Sequence, residues 1–289
     1  MSTTLNDVNY SALVQEVALQ ISPSELPISE MFNLQTEVLA SQNTTISVPS
    51  FSLTGGTATA LTAVDWTSDG NSTMTTYNVP VDQVAREAAR PGYLASEIAL
   101  RGYAKTAQIG AVKQFNKTLF TSASASTTKL VASAANVYTV DSVKSQLNTL
   151  ITSGGLMTDY WLIIGHSYYL GGLLPSAEQR KTNNETVFVD GKIESICGVK
   201  VIVVADAELP TGVFGILFNK NALNVGAGIE GDAYRDADTY VGLTAGNLPI
   251  HTRILYNAVS KKWHIDAYIP FGLKPDANIS KFASLIKAS

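Results

Sequence analysis

The sequence predicts an α+β protein, and three observations carry that expectation. Residues 93–120 form an alanine-rich stretch with the composition of one long helix. Three short apolar runs, YWLII (160–164), VKVIVVA (199–205) and VFGILF (213–218), have the length of buried strands. A segment from Arg253 to Ile269 alternates with period two and reads as a long hairpin. The chain has 289 residues, 45% hydrophobic and 15% charged, so it carries apolar surface enough for a core and does not have the composition of a disordered chain. At roughly 150 residues per domain, that length implies about two domains or one large one.

Taken in order, Tyr10, Leu13, Val14, Val17 and Ile21 recur at helical spacing, which predicts a short amphipathic helix before Ser22-Pro23. A single short helix cannot bury its own stripe and needs a neighbour. Residues 46–78 are rich in Ser, Thr and Gly, with turn signals at Gly55-Gly56 and Asp69-Gly70. They read as an extended two-stranded loop, marginal by itself in water, that must lie on something. Pro80 opens a helical stretch with Arg86, Glu87 and Arg90, broken at Pro91-Gly92, and the long helix follows. TSASASTTK (121–129) reads as a polar joint between lobes. Val140, Val143, Leu147, Leu150 and Ile151 mark an amphipathic helix opened by Asp141 and closed by Gly154-Gly155. The three apolar runs then predict one small sheet. The final hairpin turns around Ser260-Lys261-Lys262, with Trp263, Ile265, Ala267 and Ile269 on one face. No internal repeat is visible.

Composition narrows the function classes. No apolar run approaches the ~18 residues of a membrane span. The start, MSTTLND, has neither a basic nor an apolar region, so no secretory leader is expected. The N-x-[ST] triplets at Asn43, Asn71, Asn116, Asn184 and Asn278 therefore carry no weight. The one cysteine, Cys197, excludes an intramolecular disulfide and, within ICGVKVIVV, reads as a small buried hydrophobe. Three histidines leave little material for a metal centre. The sequence pI is about 5.4, and the basic residues do not cluster with aromatics, against a nucleic-acid-binding surface.

Two motifs point towards enzymes. Gly165-His166-Ser167 follows a strand and precedes a helical stretch, as in the nucleophile elbow of α/β-hydrolases, with His251 or His264 available downstream as base. The elbow needs a small residue two positions after the serine, and here that residue is Tyr169. The βαβ rhythm of that fold is missing as well. Ser167 reads better as a helix cap, with Tyr168 and Tyr169 as packing residues. The run from Gly226 to Gly231 matches G-x-G-x-x-G, but a polar stretch follows it where a dinucleotide site needs a helix. It reads as a glycine-rich turn between lobes. Glu230, Asp232, Asp236 and Asp238 nearby depart from calcium-loop spacing and read as a solvated acidic loop. No G-x-x-x-x-G-K-[ST] loop exists.

Charge is distributed one-sidedly. Residues 1–85 hold eight carboxylates (Asp7, Glu16, Glu25, Glu30, Glu37, Asp65, Asp69 and Asp82) and no lysine or arginine. All 20 basic side chains lie in residues 86–289, against the 16 other carboxylates.

The order of these parts resembles the major capsid proteins of tailed bacteriophages, the Hong Kong 97-like (Johnson) fold. The local match runs through DSVKSQLNTLITSGG, YWLIIGHSYYLGGLL and VDGKIESICGVKVIVVADAELPTGVFGILFNKNAL. It is similar to that family's succession of helix, strand, short helix, strand, turn and strand. The resemblance implies an N-terminal arm (1–45), an extended loop (46–80), a peripheral domain with a spine helix (81–137), an axial domain (138–226) and a return to the peripheral domain (227–289). It implies a structural protein, without catalysis, cofactor or metal, that self-assembles into hexamers and pentamers of an icosahedral shell around double-stranded DNA. Partners would be other copies of the chain, separate scaffolding, decoration or portal proteins, and packaged DNA held non-specifically, with no membrane. The location would be the virion capsid, and the host cytoplasm during assembly. Since the arm and loop of that fold reach neighbouring subunits, Asp65 and Asp69 on one side and Arg86, Arg90, Arg101 and Lys105 on the other become inter-subunit contact candidates. Some members crosslink through a loop lysine, and residues 46–80 contain none. The rival readings are an encapsulin-like compartment shell and an α/β-hydrolase using Ser167.

Overall fold

The three apolar runs are neighbours in one sheet. A computed structural model describes residues 10–20, 31–39, 45–48, 62–65, 93–180, 186–230, 239–244, 246–257 and 262–288. Strands β5 (Tyr160–Gly165), β8 (Val199–Val204) and β9 (Val213–Asn219) lie in the order β9-β5-β8, with β8 parallel and β9 antiparallel to β5. The sheet grows to seven strands, β4-β15-β9-β5-β8-β7-β6, by adding β4 (Lys129–Val131), β6 (Thr186–Val189), β7 (Lys192–Ile196) and β15 (Ala283–Lys287). Every residue of β5 is buried, because the strand is covered on both sides. Tyr160, Leu162 and Ile164 join Leu217 and Ile286 on one face; Trp161 and Ile163 join Ile216, Phe218 and Leu285 on the other.

The first face carries α3 (Val140–Thr152) and a helical segment, α4, made of His166–Tyr168, a wide π turn Tyr169–Leu173 and Leu174–Glu178. Helix α3 starts at Thr139 rather than Asp141: the Thr139 N–H donates to Ser142 Oγ at 3.1 Å. Asp141 sits in the first turn and pairs with Arg180 at 2.6 Å. The expected stop at Gly154-Gly155 is a Schellman motif, with Gly154 at φ 92° and the Gly155 N–H donating to Leu150 O. The buried stripe includes a polar residue, Gln146, in place of the half-buried Leu147. Tyr138 Oη donates to Gln146 Oε1 (2.8 Å), and Gln146 Nε2 donates to Ser284 Oγ (3.0 Å), tying α3 to β15. In α4, Gly172 is obligatory because a Cβ there would run into the carbonyl oxygens of Ala135 and Tyr138.

The second face packs on the C-terminal half of α2 (Tyr93–Ala123), through Phe115, Leu119 and Phe120. At 1.5 Å per residue this helix spans about 46 Å. Earlier on α2, Ala104, Ala107 and Ala111 are buried, and small side chains let strands approach the helix closely. Those strands are β12 (Pro249–Asn257) and β13 (Lys262–Tyr268), the expected hairpin, with β11 (Thr239–Leu243) as third strand. A separate sheet orders β1 (Asn33–Leu39), β10 (Leu223–Glu230) and β14 (Phe271–Pro275). Rings join the layers: Phe32 stacks on Phe218 at 5.0 Å, and Phe271 meets Phe115 edge-on at 4.6 Å.

Several expectations change. The G-x-G-x-x-G run is no turn: Gly226 and Gly228 lie inside β10, the central strand of its sheet, while Val225 and Ala227 fill the core. Gly231 and the acidic loop after it lie outside the described residues. The polar joint is a clasp. Ser126 Oγ donates to Ala283 O, Thr127 N–H donates to Ser280 Oγ and Thr128 Oγ1 donates to Ser280 O, tying the end of α2 to α5 (Ile279–Phe282) and to the first residue of β15. Residues 129–131, expected in the peripheral domain, and 283–287, expected in the return segment, both form strands of the seven-stranded sheet. Cys197 is half-buried rather than buried: with Gly198 it forms the two-residue turn between β7 and β8, at φ 51° and 81°. Asp190-Gly191 makes the same turn between β6 and β7, at φ 49° and 77°.

Helix α1 (Tyr10–Leu19) forms as the spacing predicts, but its stripe finds a seat in its own chain. Leu13, Val14, Val17 and Ala18 are buried against β11 and α2. Each of the larger three contributes about 1.5–3 kcal/mol. Likewise β2 (Thr45–Val48) and β3 (Thr62–Asp65), the expected ribbon, pair with each other and lie near β10 and β14.

Three outcomes follow from this packing. Gly172→Ala should lower the unfolding free energy by about 1–3 kcal/mol, since the backbone in its way cannot rotate aside; urea denaturation measures it. Cys197→Asn should raise it by up to about 1 kcal/mol, because asparagine tolerates the left-handed turn that costs cysteine strain. The urea midpoint should rise with an unchanged slope. Burial pushes the Tyr160 phenol up to about 12, and burial raises Tyr138 and Tyr168 as well. The folded state therefore holds protons that the unfolded chain releases near pH 10, so stability should fall as pH rises from about 10 towards about 12. Tyr160→Phe should make that fall shallower in urea titrations run between pH 9 and 11.

Candidate assembly surfaces

The elbow motif is the first site to place. Ser167 is exposed just after β5, and its N–H donates to Asp206 Oδ1 at 3.3 Å. Asp206 thus serves the start of α4, the role expected of Ser167 itself. Gly165 is bare because that carboxylate, Leu209 and the Phe214 carbonyl occupy the place of a Cβ. Tyr169 is buried, and its hydroxyl accepts the Ile193 N–H at 3.1 Å, so it packs as expected. Of the expected bases, His251 lies in β12 and His264 in β13, both in the other sheet. His251 is fully buried and stacks on Tyr268 at 5.0 Å. His166 is next to Ser167 in the chain, a spacing at which side chains on a helix do not face each other.

A cleft of about 530 Å³ opens between α2 and the 206–214 segment, lined by Lys117, Thr121, Ser167, Asp206 and Phe214. Lys113 Nζ and Glu208 Oε1 stand 3.7 Å apart across the same junction. Among the described residues, no three His, Cys, Asp or Glu side chains gather as a metal site. No described helix is long and apolar enough to cross a membrane.

Of the contact candidates, Arg86, Arg90 and Asp69 lie outside the described residues, and Asp65 ends β3. Lys105 is half-buried on α2. Arg101 reaches an acidic residue of the arm as its charge suggests, but in its own chain: Arg101 Nη1 and Glu16 Oε1 are 2.7 Å apart. Arg101, expected at a contact between subunits, thus has an acidic partner within one chain.

Exposed apolar side chains sit at the two ends of the seven-stranded sheet. On the outer strand β4, Val131 is 53% exposed; on the opposite outer strand β6, Val187 is 48% and Val189 50% exposed. The alternation of β6 puts Phe188 towards α4 and both valines on the other face. Sequence reading did not single these residues out, although Val-Phe-Val before Asp-Gly is a hairpin signal.

No protein-family model and no curated protein sequence matches the chain. Solved structures do. The capsid structure of the cyanophage P-SCSP1u superposes with a TM-score of 0.51 at 11% identity, covering 89% of this chain and 87% of that one. A virus-like particle from Pyrococcus furiosus gives a TM-score of 0.52 at 10% identity, covering 97% of this chain and 100% of that one. At such identities the likeness speaks for the fold, and it runs over nearly the whole chain. This α+β chain has the phage major capsid fold.

Proposed function

We propose that the chain is the major capsid protein of a tailed bacteriophage, self-assembling into hexamers and pentamers of an icosahedral shell around double-stranded DNA. The observation that carries this reading is the near full-length likeness to a phage capsid. The exposed valines support it: a ring needs one end of a subunit to meet a different end of the next, and both ends of the sheet offer apolar side chains. The role is structural and uses no cofactor. Its partners are further copies of itself, separate scaffolding, decoration or portal proteins, and non-specifically held DNA. It acts in the virion capsid after assembly in the host cytoplasm. An encapsulin-like shell is the second reading, since a virus-like particle shares the fold over its full length.

Negative-stain microscopy of the purified protein should show closed shells, and nuclease-sensitive contents would favour the phage over an encapsulin-like compartment holding protein. Soluble single subunits that hydrolyse an activated ester, with activity lost in Ser167→Ala, would replace the shell reading with the hydrolase. Boiled, reduced shells should run as one band near 30.8 kDa, because residues 46–80 offer no lysine for a crosslink. Val187→Lys combined with Val189→Glu should abolish shells while leaving the circular dichroism unchanged, both sites being half-exposed. Shells from that variant would remove the β6 end from the ring contact.

A further inference from the structure

Among the described residues, the seat of α1 is built around the free edge of a sheet. β11 is an outer strand, and its residue Leu243 stands opposite Pro249, which has no N–H to exchange. Both backbone groups of Leu243 turn outward and meet a single side chain. The Leu243 N–H donates to Gln15 Oε1 at 3.0 Å, and Gln15 Nε2 donates to Leu243 O at 3.3 Å. One carboxamide thus imitates the peptide group of a missing neighbouring strand. The helix lies close because Gly242 has no side chain: a Cβ there would stand 2.7 Å from Ala18 Cβ and 3.0 Å from Val14 O. Beneath the helix, buried Gln108 donates through Nε2 to Val14 O at 3.4 Å and to Thr252 Oγ1 at 3.0 Å. The seat is therefore partly polar, and water can take over those hydrogen bonds when the helix leaves.

We propose that α1 is an edge guard: lying on β11, it takes up the outward backbone groups of Leu243 through Gln15 and so prevents that edge from adding a strand of a second copy of the chain. Alternation along β11 turns the backbone groups of Thr239 and Val241 to the same side as those of Leu243, enough to template a short added strand. With the guard seated, association is confined to other surfaces of the subunit. With the guard lifted, copies join edge to edge and do not close. The role belongs to the single subunit and does not depend on what a shell encloses.

Hydrogen exchange on the full-length chain, read beside sedimentation, tests the guard. Gln15→Met keeps the length and helical preference of the side chain but removes both hydrogen bonds. The Leu243 amide should then exchange at least tenfold faster, with the amides of β5 and β9 unchanged. Gly242→Ala should free the amides of residues 10–19 and turn the protein into irregular, concentration-dependent aggregates. Adding Ala18→Gly to Gly242→Ala should restore both protection and wild-type assembly by making room again. Wild-type protection of Leu243 in Gln15→Met would overturn the proposal. So would a Gly242→Ala chain whose residues 10–19 exchange freely without any new self-association. If Gly242→Ala also exposes β5 and β9, general unfolding has intervened, and the Gln15→Met exchange decides alone.

Discussion

The larger of the two apolar cores in this chain is organised by one helix. α2 crosses from the hairpin β12–β13 to the seven-stranded sheet, and its core cluster includes residues of α1, β5, β9, β10, β14 and β15. Its inward face changes character along the way. Alanines at 104, 107 and 111 suit close strand approach; Phe115, Leu119 and Phe120 fill the wider space above the sheet. One continuous helix with a graded face is what allows two sheets to share a core. The hydroxyl clasp at Ser126–Thr128 fixes the far end of that helix to the last strand of the chain.

That arrangement explains what could be read from the sequence and what could not. Periodic signals survive because burial enforces them: the fully covered β5, the alternating β13 and the long α2 were all legible. β10 was not, because glycine in a strand removes the side chain on which period-two reading depends. Leu223, Val225 and Ala227 mark its inner face, but Gly226 and Gly228 supply no side chains on the other face to contrast with them. Gln146 was invisible for a different reason. A buried amide is tolerable only when its partners arrive, and Ser284 lies 138 residues further on. Cys197 misled because its apolar surroundings belong to the strands on either side, while the residue itself is the corner joining them. The valines of β6 were hidden among core-like neighbours, since exposure on one face of an outer strand looks the same in sequence as burial.

The seat of α1 shows the same limit at the level of the site. A stripe of five apolar residues says that a helix needs a partner and does not say whose. What identifies the partner is Gly242, more than 220 residues away, and the match of one glutamine to one strand residue. The Glu16–Arg101 pair agrees with the one-sided charge distribution but does not hold the helix down. Both side chains are more than a third exposed, at 48% and 40%, and such pairs contribute about 0–1 kcal/mol. Three buried aliphatic side chains outweigh it several-fold. Apolar contact, rather than the ion pair, therefore retains the arm helix.

Sheet edges connect this packing to the proposed assembly. A chain with several sheets has several edges, and each is a template for unwanted pairing unless something covers it. Here β11 is met by α1, β13 lies along α2 and β14 lies near β3. The seven-stranded sheet is managed differently: its end strands are short, three residues in β4 and four in β6, and their half-exposed valines project from the sheet face rather than along its edge. Short strands pair weakly, whereas projecting valines can pack on a partner in only certain orientations. A surface of that kind discriminates by shape, as the closed ring of the proposed shell would require. In the proposed shell, covered edges would remove the open-ended alternatives, and the same division of labour would let an apolar-rich, weakly charged chain assemble in one direction without precipitating in all the others.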